Sequence, residues 1–279
     1  MRGTSGFFAL SSLADESPSR GAPAPGTWQE PVLAHAYDVD FRKRASPESI
    51  CRWFLEVAWN HAEQLGIGFA GLAQHNQFWV LARLVVEIDQ YPLWGQRAQL
   101  TTWPRGIHGV LALRDFELCD GGGRRLAAGS SSWLVLDGKT HRAQRLDKLA
   151  RQIPAEITRR ALKRDSAKIL PSEPGKAKLS KEVLYSDIDV NDHVNSARYI
   201  GWCLDTYSRE FHQRHSLQRL EVNYVGETKW PDHVSAFSTE PRPLHFAHSI
   251  RNSKSEEVCR AEFVWAEDPN PDLRSEALP

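Results

Sequence analysis

The sequence predicts an α+β fold built from two copies of one unit: a strand, a long helix and four further strands. Three observations predict it. Segments of helical period at about 47–65 and 195–213 are each followed by four segments of strand character. Turn chemistry separates the strands, most clearly at Asp120-Gly121-Gly122-Gly123. At an offset of 149 positions, Asp38-Val39-Asp40 falls on Asp187-Ile188-Asp189, and Trp53, Leu55 and Glu56 fall on Trp202, Leu204 and Asp205. Such self-similarity reads as a duplication; the alternative is chance likeness between two amphipathic helices.

The elements follow in order. Val32 to Phe41 alternates as a strand does. Ser46-Pro47-Glu48 starts a helix, with Ser as N-cap and Pro at the first helical position. Ile50, Trp53, Phe54, Val57, His61 and Leu65 then recur at helical spacing, and Gly66 can end the run. Strands are expected at 78–90, 97–104, 111–119 and 125–136. The second copy has a short strand at 183–188, a helix at 195–213 and strands at 217–229, 232–240, 243–251 and 256–265. Gly201 inside that helix costs ~1 kcal/mol relative to Ala. Close approach of the first helix would explain it.

Composition narrows the function. The chain has 279 residues, 41% hydrophobic and 25% charged, as ordinary soluble globular proteins do. Lys+Arg and Asp+Glu are both 35, which excludes a uniformly basic nucleic-acid binder. The charge-free stretch Gln64 to Ala82 carries Gln64, Gln74, His75, Asn76, Gln77 and three glycines, too polar for a membrane span. Ser11-Ser12 and Asp15-Glu16 spoil the apolar run Phe7-Phe8-Ala9-Leu10 as a secretory signal. Cys51, Cys119, Cys203 and Cys259 show no paired spacing and read as reduced thiols of a cytoplasmic protein. The expected organisation is a flexible tail at 1–28, a first domain at 29–138, a linker at 139–181, a second domain at 182–267 and a tail at 268–279. The linker holds 13 basic and four acidic residues, a net charge of +9. It reads as a solvated segment or as a surface for an acidic partner.

Several motifs fail on context. Gly66-Ile67-Gly68-Phe69-Ala70-Gly71 matches a dinucleotide fingerprint but follows a helix instead of a strand. No GxSxG nucleophile elbow exists. His212/His215 could share a helix face, His245/His248 on a strand could not, and neither pair has a third ligand at suitable spacing, so no metal site is expected. The informative run is Asp187 to Trp202. In an extended segment Asp189, Asn191 and His193 would face one side, just before a helix N-terminus suited to an oxyanion. The other reading is a polar capping loop with Asn195 as N-cap.

The run DIDVNDHVNSARYIGWCLD resembles the signature of the plant and bacterial acyl-acyl-carrier-protein thioesterases. WVLARLVVEIDQYPLWGQRAQLTTWPRG, LRDFEL and SSSWLVLDGKTHRAQRL resemble the same family, in the same order, from about residue 31 to 265. The resemblance implies a tandem double hotdog, two long helices each wrapped by an antiparallel sheet, with the acyl pocket mainly in the first copy. It places the family's catalytic Asp, Asn and His on Asp189, Asn191 and His193, and a further Glu on Glu227. A cysteine often follows that Glu in plant members; here Thr228 does, which argues against a cysteine nucleophile.

The resulting expectation is a hydrolase that releases free fatty acid from acyl-carrier protein and so ends chain elongation. It needs no metal or dissociable cofactor, because phosphopantetheine arrives on the carrier protein. His193 or Glu227 would deprotonate water. The rival readings are an acyl-CoA thioesterase with the same site, a non-catalytic acyl-binding hotdog protein and a hotdog dehydratase. Arg42 and Arg44 stand where the second copy has Asn191 and His193, implying one active site per chain. With Arg159, Arg160, Lys163 and Arg164 they form the expected docking charges for an acidic carrier protein. A homodimer is compatible with the sequence.

Overall fold

The computed structural model describes residues 24–147, 149–153, 158–171, 173 and 175–269. In chain order the elements are β1 (Trp28–Leu33), α1 (Pro47–Gln64), α2 (Phe69–Ala73), β2 (Gln77–Ile88), β3 (Arg97–His108), β4 (Leu111–Asp120) and β5 (Arg125–Asp137). The second half adds β6 (Ala177–Glu182), α3 (Ser196–Leu204), α4 (Arg209–Arg214), β7 (His215–Tyr224), β8 (His233–Arg242), β9 (His245–Asn252) and β10 (Glu257–Glu267). All ten strands form one sheet in the order β1-β3-β4-β5-β2-β7-β10-β9-β8-β6. The two halves meet at its centre, where β2 pairs antiparallel with β7 through Leu84↔Val222 and its neighbours. Helices α1 and α3 pack on one face and contact each other. This is the double-hotdog arrangement.

Local chemistry sets each element. Ser46 Oγ accepts from Ser49 N at 3.1 Å, capping α1, and Gly66 leaves the helix with φ +71°. Ile50, Cys51, Phe54, Val57 and Ala58 form its buried stripe. Phe54 stacks on Phe116 of β4 with ring centroids 4.9 Å apart. That contact requires Gly129 of β5, where a Cβ would lie 2.7 Å from the Phe54 ring. At Gly201 the space of a Cβ is taken by the Glu48 carboxylate of α1, the close approach expected from sequence.

Three expected elements differ. The strand expected at 32–41 is β1 at Trp28–Leu33, paired with β3. The strand expected at 183–188 is β6 at Ala177–Glu182, followed by a single 3-10 turn at Tyr185–Asp187. In both, the alternation comes from a loop that carries aspartates, not from a ladder. The helix expected at 195–213 is broken into α3 and α4. Thr206 Oγ1 donates to Cys203 O at 2.7 Å, Ser208 caps a new start, and Tyr207 turns into a cluster with Phe211, Phe246, His248 and Trp265. Aromatic burial there outweighs helix continuation. Trp28, assigned by sequence to the tail, begins β1; residues 1–23 and 270–279 of the expected tails lie outside the described residues.

The expected linker is not simply solvated. Residues 158–170 cross the sheet face opposite the helices, from β3 to β10. Trp103 Nε1 of β3 donates to Arg159 O at 3.0 Å, and Ala161 N donates to Asp115 Oδ2 of β4 at 2.8 Å. The hydroxyls of Ser132 (β5) and Ser166 are 3.1 Å apart. Further on, Ala167 N donates to Glu221 and Ile169 N to Asn223 Oδ1 of β7 at 2.9 Å. Arg260 Nη1 of β10 then donates to Ile169 O at 3.1 Å. Ala161 and Leu162 bury Val85, Trp103 and Ala128 beneath this strap. Both sheet faces are therefore covered. Among the described residues no helix is long and apolar enough to cross a membrane.

Candidate active site

The loop from Asp187 to Asn195 is a tight turn, not the extended segment assumed from sequence. Asp189 Oδ1 accepts from Asn191 N at 2.8 Å, Asp189 N donates to His193 O at 2.8 Å, and Asp192 sits at φ +60°. The first half repeats this turn. Asp40 Oδ1 accepts from Arg42 N at 2.8 Å, Asp40 N donates to Arg44 O at 2.8 Å, and Lys43 sits at φ +58°. The two loops correspond at the offset of 149 read from sequence, so the duplication reaches individual hydrogen bonds. Below the second loop, Asp187 is fully buried. Burial pushes its pKa up, but bonds from Lys181 Nζ (2.8 Å), Leu184 N (2.9 Å) and Arg198 Nε (2.9 Å) outweigh it and hold the group below its usual value.

Asp189, Asn191 and His193 line one cavity together with Glu227, which follows β7. The bond Val194 N to Thr228 O, 2.9 Å, joins the two segments side by side. It leaves His193 Nε2 3.2 Å from Glu227 Oε2, misaligned for a straight hydrogen bond yet within reach of proton exchange. The cavity has a volume of about 660 Å³ and runs into the first half, between α1, α2 and β2; Leu55, Trp59, Phe69, Phe78 and Leu81 are among its walls. At the start of α3, Asn195 Oδ1 accepts from Ala197 N at 2.9 Å, and Asn195 N and Arg198 N donate within the chain. The capping-loop reading of Asn195 thus holds, and these N–H groups are already occupied.

Residues 26–153 match the acyl-ACP thioesterase N-terminal domain and residues 173–267 the acyl-ACP thioesterase C-terminal domain. The chain belongs to the acyl-ACP thioesterase family. It is 27% identical to oleoyl-acyl carrier protein thioesterase 1, chloroplastic, of Arabidopsis thaliana, over 94% of this chain and 82% of that protein. It is 30% identical to a palmitoyl-acyl carrier protein thioesterase, chloroplastic, of Gossypium hirsutum, over 82% of this chain and 61% of that one. The crystal structure of an acyl-ACP thioesterase from Bacteroides thetaiotaomicron superposes with a TM-score of 0.78 at 27% identity, covering 86% of this chain and 98% of the other. The 12:0-ACP thioesterase from Umbellularia californica shares the fold, with a TM-score of 0.79 at 22% identity over 89% of this chain and 100% of that one.

In this member of the acyl-ACP thioesterase family, the first-copy arginines do not form a docking surface. Arg42 and Arg44 both pair with Asp268, at the end of β10, and the Arg42 side chain is only 5% exposed. Arg42 Nη1 also donates to His212 O at 2.7 Å. The degenerate loop has become an internal clamp between the halves. Of the strap residues, Arg159 pairs with Glu117 and lies 4.4 Å from the Trp103 ring centroid, and Arg160 lies 3.4 Å from Asp165. Lys163 and Arg164 are exposed.

Sequence reasoning missed two residues near the cavity. Arg114 of β4 points to the helix side, buried, with Nη1 3.0 Å from His61 Nδ1 and 3.1 Å from Thr102 Oγ1. Burial lowers its pKa to about 10. Burial first, and Arg114 second, lower that of His61 to about 4, so His61 is neutral and accepts at Nδ1. The signal was a charged residue on the apolar side of an alternating strand. The second is His141, whose Nδ1 lies 4.0 Å from Glu227 Oε1. Cys51, Cys203 and Cys259 are buried thiols whose pKa values burial raises, the opposite of an activated nucleophile.

Proposed function

We propose that this protein hydrolyses the thioester of fatty acyl-acyl-carrier protein, releasing free fatty acid and the carrier thiol and so ending chain elongation. The observation that carries this is the His193–Glu227 pair, 3.2 Å apart, at one end of a largely apolar cavity of about 660 Å³. Such a cavity takes an acyl chain, while the pair handles a proton. Water attacks the thioester carbonyl as Glu227 or His193 removes its proton. The 3.2 Å separation lets that proton pass between them. Collapse of the tetrahedral intermediate breaks the carbon–sulfur bond, and the same proton returns to the leaving thiolate. Asp189 holds the turn that presents Asn191 and His193. Asn191, on the cavity wall, hydrogen-bonds the water or the thioester oxygen.

The carrier protein is an acidic partner, and Arg160, Lys163 and Arg164, exposed on the strap, are the basic charges proposed to meet it. Family membership supports the substrate class. The test is hydrolysis of acyl-carrier proteins from short to long chain beside matched acyl-CoA thioesters. Preferential turnover of the carrier-protein series is expected. Equal or better turnover of acyl-CoA would replace the substrate, and no turnover of either would leave an acyl-binding protein. Glu227→Gln is expected to lower kcat by roughly 10²–10⁴-fold, the usual worth of a positioned acid–base group.

A further inference from the structure

The catalytic pair comes from the second half, yet the first half reaches it. β5 and β7 run in the same direction, each antiparallel to β2 between them, so both strands head toward the end of the sheet where β2 begins. Beyond β5 the chain makes a turn organised by Asp137. Its Oδ1 accepts from Lys139 N (3.0 Å), Thr140 N (2.8 Å) and Thr140 Oγ1 (3.0 Å). His141 N donates to Asp137 O at 2.8 Å, and Gly138 N ties the turn to Asn76 O at 2.8 Å. His141 itself has φ +53°, an uncommon backbone state for a residue other than glycine. The result is a ring whose Nδ1 stands 4.0 Å from Glu227 Oε1 and whose edge meets Phe78, a cavity wall, with centroids 6.0 Å apart. Glu227 thus lies between two imidazoles, with Oε2 toward His193 and Oε1 toward His141.

We infer that His141 is a positioning residue: its Nδ1, 4.0 Å from Oε1 of Glu227, closes on that oxygen as a donor when the site is engaged and so fixes the rotation that presents Oε2 to His193 and to the attacking water. This rests on the role of Glu227 in the proposed reaction. A carboxylate held at one oxygen only can rotate about its last bonds, and misplacement of a base is costly to rate. At 4.0 Å the two groups are in ion-pair range but not hydrogen-bonded, and both side chains are partly exposed, at 53% for His141 and 36% for Glu227.

The test uses the full-length protein and one acyl-carrier-protein thioester. His141→Gly removes the ring without straining a backbone at positive φ. His141→Asn keeps an N–H donor near the Nδ1 position in a residue that tolerates that backbone. His141→Gly is expected to lower kcat about 10- to 100-fold with KM changed less than about twofold, and His141→Asn to recover kcat to within about fivefold of the parent. In a Glu227→Gln background, His141→Gly is expected to cost nothing more, since the group it acts through is gone. Full kcat in His141→Gly, failure of His141→Asn to recover it, or an equal loss in the Glu227→Gln background would overturn the inference. A fully active Glu227→Gln would overturn the role of Glu227 as well, whereas an inactive Glu227→Gln with an active His141→Gly would sink the role of His141 alone.

Discussion

His193 owes its position to two backbone bonds, Asp189 N to His193 O and Val194 N to Thr228 O. Replacing its ring therefore leaves the turn and, in the proposed reaction, removes a proton carrier. His193→Ala is expected to fold normally and lose roughly 10²–10⁴-fold in kcat. Cys51→Ser and Cys203→Ser are expected to keep turnover per folded molecule; an inactive, folded cysteine variant would contradict a water-based mechanism. Residue-scale legibility was uneven. That Asp189, Asn191, His193 and Glu227 would share a cavity could be expected, because the first three stand in the run that carries the family resemblance and Glu227 in a second matching segment. His141 could not, because its partner lies 86 positions away and only strand order brings them together. Arg44 was misjudged because its partner Asp268 lies 224 positions away.

At the scale of elements, burial of neutral histidines makes the fold acid-sensitive. His248 on β9 is held by Tyr207, with Nε2 2.7 Å from the phenol, and burial lowers its pKa from 6.5 to about 3. His61 on α1 falls from 6.5 to about 4. Between pH 6.5 and these values the unfolded chain binds protons that the folded chain refuses. Stability is thus complete above pH 6.5 and declines as pH falls toward 4. The lowered pKa of Asp187 adds a loss of the same sign below the ordinary carboxylate value of 3.8. Urea midpoints at pH 7 and pH 5 should show the decline, and His248→Gln should reduce it; a flat profile in the parent would refute the assignment. Packing makes a second demand. Gly129→Ala puts a methyl into the Phe54 ring and is expected to destabilise by about 1–3 kcal/mol, read as a lower urea midpoint at unchanged slope. The start of α1 and the hairpin at Asp120–Gly123 were legible because caps and turns are local chemistry. The break after α3 was not, since the aromatic cluster that draws Tyr207 inward is assembled from β9 and β10.

Across the whole molecule, the duplication was legible, but the single continuous sheet and the strap were not. A basic, low-hydrophobicity segment looks solvated when the Asp115, Glu221 and Asn223 side chains that receive it belong to distant strands. Lys163→Glu with Arg164→Glu should raise KM for acyl-carrier protein and steepen no other parameter, while a small carrier-free thioester is hydrolysed as before. An unchanged KM at low and at physiological salt would place the carrier protein elsewhere. Arg159 is a poor site for the same experiment, because its pairing with Glu117 and Trp103 helps to seat the strap.

That strap also decides what the covalent connection is for. The halves are joined independently by the β2–β7 ladder, by α1 against α3 and by the Arg42–Asp268 clamp. Besides covering the sheet, residues 158–170 belong to the covalent connection that keeps each half at an effective concentration of order millimolar about the other. A nick between Lys163 and Arg164, both exposed, would leave every strand pair intact while making assembly bimolecular. Two fragments divided there are expected to complement each other on mixing, with a yield of active enzyme that rises with concentration, whereas the intact chain assembles at any dilution.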